Sequence, residues 1–250
     1  RAERSAQRRA ERAFDRLKPR HRMENDRLEI EIRDRHPVVF DYDVTLQVMV
    51  DVTLSVPEGT RLAVRGTDTG ISIEGDYVGD LELKTDGGTY FVRSVSGDFT
   101  ATTGGGGITV GVVGGRAQIY SRSGPILAGR LHGPAEVATS TGSVEVQHAL
   151  DQLKINGDDA DLRVGLVVPL PKAVDVETSA GRIVMTVDTN AAVTLDASAR
   201  VLGRVKMRNL PATVRSGGVG KSSLVADVNG GGAPVRLRTS GGEIVLIGRV

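Results

Sequence analysis

Apolar and polar positions alternate with a period of two along most of this chain, and between Leu62 and Val164 the alternation itself recurs every 18 residues. One apolar column reads Leu81, Phe99, Ala117, Ala135, Leu153, and two residues on a second reads Leu83, Ala101, Ile119, Val137, Ile155. Half a repeat later come Tyr90, Ile108, Ile126, Val144, Leu162 and then Val92, Val110, Ala128, Val146, Val164. A period of two belongs to strands, and like residues at like positions in successive repeats are what a solenoid requires. Glycines punctuate the columns. Gly70, Gly88, Gly106, Gly124 and Gly142 fall 18 residues apart, and Gly79, Gly97, Gly115 and Gly133 form a second series nine out of phase. These are the expected structural turn glycines, since tight corners use backbone conformations that glycine adopts freely. The pattern predicts an all-β fold, a single-stack parallel β-solenoid (β-helix) of about 18 residues per coil, with every strand paired to its copies above and below.

Hydroxyl side chains form a further column, Thr85, Thr103, Ser121 and Thr139, which predicts a hydrogen-bonded ladder near one corner. In the first coil Leu62, Val64, Ile71 and Ile73 stand one residue early, which predicts a one-residue bulge there. Pro169 and Pro171 interrupt pairing. The columns then resume at Val174, Val176, Thr178, Gly181, Ile183 and Met185, and again at Val235, Leu237, Thr239, Gly242, Ile244 and Leu246. The intervening stretch departs from the repeat and predicts imperfect coils with a longer loop from Ser216 to Ser223. Residues 61 to 250 allow about ten coils, a rod on the order of 50 Å. Ending on Ile247-Gly-Arg-Val250 without a polar cap, the last coil reads as an open sheet edge.

Ahead of the coils, residues 1–18 carry a weak apolar stripe of Ala2, Ala6, Ala10, Ala13, Phe14 and Leu17 at helical spacing. They predict a short basic helix ended by Pro19, docked on a neighbour or left as a tether rather than seated on a membrane or nucleic acid. Leu28, Ile30 and Ile32 predict a short strand. A long alternation follows through Phe40, Tyr42, Val44, Leu46, Val48, Val50, Val52, Leu54 and Val56, so one face of this segment is built for burial. The expected divisions are a basic helical segment over 1–20, capping or edge strands over 21–60, the regular solenoid over 61–168 and its irregular continuation over 169–250.

Composition fits this picture. Aromatic residues make up 3% and Trp is absent, as suits a thin core of Val, Ile, Leu and Ala. Having no Cys, the chain can build no disulfide framework, thiolate metal site or cysteine nucleophile. The net charge of +1 is uneven: residues 1 to 36 hold 12 Lys or Arg against 8 Asp or Glu, and the remainder holds 20 against 23. No apolar run is long enough to predict a transmembrane segment. The chain starts at Arg1 rather than Met, which leads us to expect an upstream export signal removed by processing.

The run Ala135-Glu-Val-Ala-Thr-Ser-Thr-Gly-Ser-Val-Glu-Val146, its variant near Leu81, and Asn229-Gly-Gly-Gly232 followed by Leu237-Arg-Thr-Ser-Gly-Gly-Glu-Ile244 resemble a bacterial adhesin family. That family is a domain of unknown function built of repeated Ser/Thr-Gly-x-apolar-x-apolar units. Val52-Thr-Leu-Ser-Val-Pro-Glu-Gly59 resembles its leading strand, so the likeness runs from Glu29 to Val250. It implies a β-solenoid exported to the cell envelope or cell surface, with no enzyme chemistry and no site residues.

Motifs that carry chemistry are sparse. Gly217-Gly-Val-Gly-Lys221-Ser-Ser223 has the residues of a phosphate-binding loop, but Arg215 stands where the template needs glycine and no βαβ context surrounds it. Asn156-Gly-Asp-Asp159-Ala-Asp161 gathers hard oxygens on Asp158, Asp159 and Asp161, yet matches no calcium-loop spacing and reads as a polar corner. His21, His36, His132 and His148 lack metal-ligand spacing and read as surface residues. Outward positions such as Glu82, Lys84, Arg93, Gln118, Glu136 and Glu145 form no evident acid/base pair. No catalytic, cofactor-binding or metal site is expected. The expectation is a non-enzymatic, exported structural or adhesin-like protein presenting an extended surface to a cell-surface or carbohydrate ligand, with no nucleic-acid partner. An alternative is an extracellular filament subunit that self-associates by β-strand augmentation through residues 37–56, with Phe40, Tyr42, Val44, Leu46, Val48 and Val50 on the joining face, or through the C-terminal coil. A second alternative is a polysaccharide-active β-helix enzyme.

Overall fold

The structure is a computed structural model that describes residues 20–24, 27–31, 56–168 and 171–249. Two units divide between Leu54 and Ser55. In the first, β1 (Arg20–Glu24) and β2 (Arg27–Glu31) form an antiparallel hairpin pairing Arg20 with Glu31 and Glu24 with Arg27. The expected basic helix and the Phe40 to Leu54 alternation, including the proposed joining strand, lie outside the described residues.

The second unit is the predicted β-solenoid, all strand in its regular elements. Its first seven turns follow the chain. They are β3 (Leu62–Gly66) with β4 (Ile71–Tyr77), β5 (Leu81–Thr85) with β6 (Tyr90–Val95), β7 (Phe99–Thr103) with β8 (Ile108–Val113), and β9 (Ala117–Ser121) with β10 (Ile126–Leu131). Continuous strands β11 (Ala135–Ala149) and β12 (Leu153–Leu166) make a turn each, and β13 (Val174–Ala180) with β14 (Ile183–Asp188) makes the seventh. Pairing is parallel throughout, at an 18-residue offset from β5 to β12, such as Leu81 to Phe99 to Ala117, while Leu62 pairs with Leu81 and Leu153 with Val174. The inward columns are those of the sequence, and Leu83, Ala101, Val137 and Ile155 are completely buried.

The expected first-turn bulge is present. Ile73 pairs with Val92 but Asp76 pairs with Ser94, so β4 holds one extra residue. As a result the corner column starts at Thr69, not Gly70. A Cβ on Gly70 would meet nothing nearer than the Thr89 carbonyl at 3.8 Å, whereas one on Gly88 would collide with the Thr69 carbonyl. From there each corner glycine lies against the one before it: a Cβ on Gly106 would strike the carbonyl of Gly88, on Gly124 that of Gly106, and on Gly142 that of Gly124 at 2.9 Å.

The hydroxyl column is buried beside this corner, and it bonds backbone rather than its own members. Ser121 Oγ donates to the Gly106 carbonyl one turn back at 3.0 Å and accepts the Gly124 N–H at 2.9 Å. Thr103 does the same between Gly88 and Gly106, at 3.2 Å each. Tyr90, also in the core, donates to the Thr102 carbonyl at 2.7 Å, and burial pushes its phenol up.

Beyond the seventh turn the stack abandons chain order. The last strands, β19 (Ala233–Gly241) and β20 (Ile244–Arg249), pair with β13 and β14 on one side. On the other side they pair with β15 (Val193–Ala199) and β16 (Val205–Arg208). The C-terminal coil is therefore the eighth layer and the β15–β16 coil the ninth, giving nine layers rather than ten. This corrects the expectation of an open C-terminal edge, because both faces of the last coil are occupied and it offers no site for strand augmentation. The far end is closed on one side by β17 (Ala212–Gly217) and β18 (Ser223–Val228), an antiparallel hairpin added to β15.

The corner column confirms the spatial order. A Cβ on Gly242 would strike the Gly181 carbonyl, and one on Gly203 would strike that of Gly242. Charge confirms it as well. Glu243 is bonded to Lys206 of layer nine and lies 3.7 Å from Arg182 beside layer seven.

Two measurements test these contacts. Gly106→Ala should destabilise by about 2–3 kcal/mol, whereas Gly105→Ala, whose Cβ would meet only Ser123 Oγ at 3.9 Å, should leave the urea midpoint nearly unchanged. A hydrogen bond from Lys206, then the attraction of Lys206, Arg182 and Arg208, holds the Glu243 carboxyl below its ordinary range. A depressed folded-state value stabilises above the unfolded value and is lost as pH falls through the folded one. Hydrogen-exchange protection of β19 and β20 should thus drop below the usual carboxylate range, and Glu243→Gln should remove that dependence.

Candidate functional site

Outward side chains of neighbouring layers stand side by side at roughly 4.8 Å, so each strand position generates a ladder running along the stack. Where the ladder mixes long and short residues it leaves a groove. One such groove, enclosing about 440 Å³, crosses β9, β11, β12, β13 and β19. Four layer steps give it a length of about 19 Å.

Two columns build it. The residues just before the strands are Arg116, Pro134, Gln152 and Ala173, with Pro234 in β19 continuing the row; the short Pro134, Ala173 and Pro234 leave an apolar floor between Arg116 and Gln152. Along the other wall run Gln118, Glu136, Lys154, Asp175 and Arg236, a row of alternating sign from Glu136 onward. Backbone pairing fixes the register, and Asp98 Oδ1 accepts the Arg116 N–H at 2.8 Å, anchoring that end.

Commitments differ among these groups. Lys154 is bonded to Glu136 at 3.1 Å. The guanidiniums of Arg116 and Arg236, at the two ends, have no ion partner among the described residues. Asp175 Oδ1 is buried without any hydrogen-bond partner, a state that costs about 1–3 kcal/mol when nothing satisfies it. The groove thus offers two free cations and the amides of Gln118 and Gln152, with the buried Asp175 oxygen closed off beneath its wall. Lys154 stands between the two carboxylates and bonds one of them, so they do not face a common bond as an acid and a base would.

Of the outward residues singled out from sequence, Gln118 and Glu136 line the groove, while Glu82 bonds Arg65 at 2.9 Å and Arg93 lies 3.6 Å from Asp76. Asp158, Asp159 and Asp161 are exposed at a corner, where Asp161 Oδ1 accepts the Arg182 N–H at 2.8 Å. No cluster of three His, Asp or Glu side chains suited to a metal ion occurs among the described residues. Gly217 to Ser223 is the tip of the β17–β18 hairpin, and the amides of Gly218, Gly220 and Lys221 are spent on protein. Gly218 N–H donates to the Ser223 carbonyl at 3.0 Å and Gly220 N–H to the Val205 carbonyl at 2.8 Å. His132 is exposed and His148 half-buried. Arg116, Gln152 and Lys154 escaped sequence reasoning although the 18-residue offset sets them beside Pro134 and Glu136, and Asp175 and Arg236 escaped it because their strands are neighbours only through the exchanged layer order. The one available signal was the likeness of the Val174 and Val235 coils, which are spatial neighbours.

Comparison of the chain with known protein families, with curated proteins and with solved structures gave no match. Among the described residues no helix is long and apolar enough to cross a membrane.

Asp175→Ala should raise stability by about 1 kcal/mol or leave it unchanged, since it removes an unsatisfied buried acceptor. A fall in the urea midpoint would show that Asp175 serves the fold instead.

Proposed function

We propose that this protein is a non-enzymatic, exported, adhesin-like β-solenoid of the cell envelope or cell surface, which holds an extended acidic polysaccharide in the groove from β9 to β19. The observation that carries the ligand class is the pair of free guanidiniums, Arg116 and Arg236, at the two ends of the groove. Carboxylates of the polymer meet the arginines. Sugar hydroxyls meet the amides of Gln118 and Gln152, and ring C–H faces lie on the floor of Pro134, Ala173 and Pro234. An extended peptide is the poorer fit because every strand crossing the groove is paired on both sides, leaving no main-chain edge to augment. Export and envelope location rest on the resemblance of the repeat units to the adhesin family.

Isothermal titration of the full chain with a polyuronate and with a neutral polysaccharide tests this reading. Binding should be confined to the acidic polymer, weaken with salt and fall roughly tenfold for each of Arg116→Ala and Arg236→Ala. Equal binding of the neutral polymer would overturn the ligand class, and release of shortened products would establish the polysaccharide-active enzyme in its place.

A further inference from the structure

Layer seven ends at Asp188 and layer nine begins at Val193, yet the two sit two layer steps apart, about 10 Å. The chain therefore leaves a slot one coil wide, builds the β17–β18 hairpin, and returns through Asn229-Gly-Gly-Gly232 to fill the slot with its last coil. Outward residues facing this coil from layer seven are opposite in charge at three positions: Asp175 pairs with Arg236, Glu177 with Arg238, and Arg182 stands opposite Glu243. Closing the slot in the same register would bring Asp175 against Asp196 and Arg182 against Arg204, and like charges directly opposite destabilise a sheet. An empty slot thus favours a coil of this sequence over its own collapse.

We infer that the C-terminal coil, residues 233–249, is exchangeable between copies, so that a second copy of this chain fills the slot and the two form a reciprocal dimer. Exchange preserves every pairing of the monomer and changes only the hinge, the condition under which swapping is a low-cost route to dimers. The hinge suits this. Asn229, Gly230 and Gly231 all have positive φ, from 48° to 84°, a tight return held by Asn229 Nδ2 donating to the Thr189 carbonyl at 2.6 Å and the Ala191 carbonyl at 3.2 Å. The exchange also reaches the groove, since Pro234 and Arg236 would then come from the partner copy and meet Asp175 in trans. The inference stands whether or not the groove holds a polysaccharide.

The absence of cysteine gives a clean test. Glu177 and Arg238 are exposed and in register on adjacent parallel strands, at a spacing a disulfide spans. Glu177→Cys and Arg238→Cys chains, unfolded together and refolded at high concentration under mild oxidation, should give a disulfide-linked dimer containing one chain of each. The doubly substituted chain refolded dilute should close the bond within itself, which shows that both substitutions are compatible with folding and register. Deletion of Gly230 and Gly231, which prevents the tight return, should raise the dimer fraction several-fold. Intramolecular closure in the double variant without any cross-chain bond in the mixture would overturn the proposal.

Discussion

The constraint on which this structure depends is the approach of one corner to the next. At the column that runs from Thr69 through Gly88, Gly106 and Gly124, the space a side chain would need is filled by the carbonyl of the preceding turn. Strands in a stack are held at a fixed spacing by their hydrogen bonds, so a corner that cannot come as close would force the strands beside it apart. Glycine meets that limit by having no Cβ. The buried hydroxyls of Thr103 and Ser121 then bond both the carbonyl of one corner and the amide of the next, so the polar backbone groups of the bend are satisfied without water.

The sixth turn shows how the two columns depend on one another. There the hydroxyl position is Gly157 and the corner position is Ala160. A Cβ on Gly157 would lie 2.9 Å from that of Ala160, so the alanine methyl fills the room a threonine would have taken. The seventh turn restores the usual pair, and Thr178 reaches back to the Ala160 carbonyl at 3.2 Å.

Such rules were legible because they act between residues a fixed distance apart in sequence. The inward columns, the two glycine series and the first-turn bulge all follow from an 18-residue offset that the chain prints repeatedly. Layer order beyond Asp188 has no such local signature. The coils at Val174 and Val235 resemble one another more than either resembles what lies between, but likeness says that two coils use the same corner, not that they touch. The layer order agrees with charge: Arg182 lies 3.7 Å from Glu243, and Asp175 and Glu177 stand in register with Arg236 and Arg238. The groove inherited the same opacity. Its apolar floor joins Pro134, Ala173 and Pro234, which no repeat brings into one line until the last coil is in place.

The two ends of the described stack are built against casual pairing. β4 in the first layer and β17 at the far end each carry a bulge, and β17 is preceded by Pro211 and ties its Arg215 back to the buried Asp227. Bulges, proline and short strands are the means by which sheet edges avoid sticking to other sheets, and β16, the other outer strand, spans only Val205 to Arg208. Association through the slot differs in kind from association through an edge. It demands a coil with the right apolar columns, a glycine at position 242 and three matched charges, which the protein's own last coil supplies. The described ends thus disfavour promiscuous joining, and the exchange proposed above would confine association to a specific joint inside the stack.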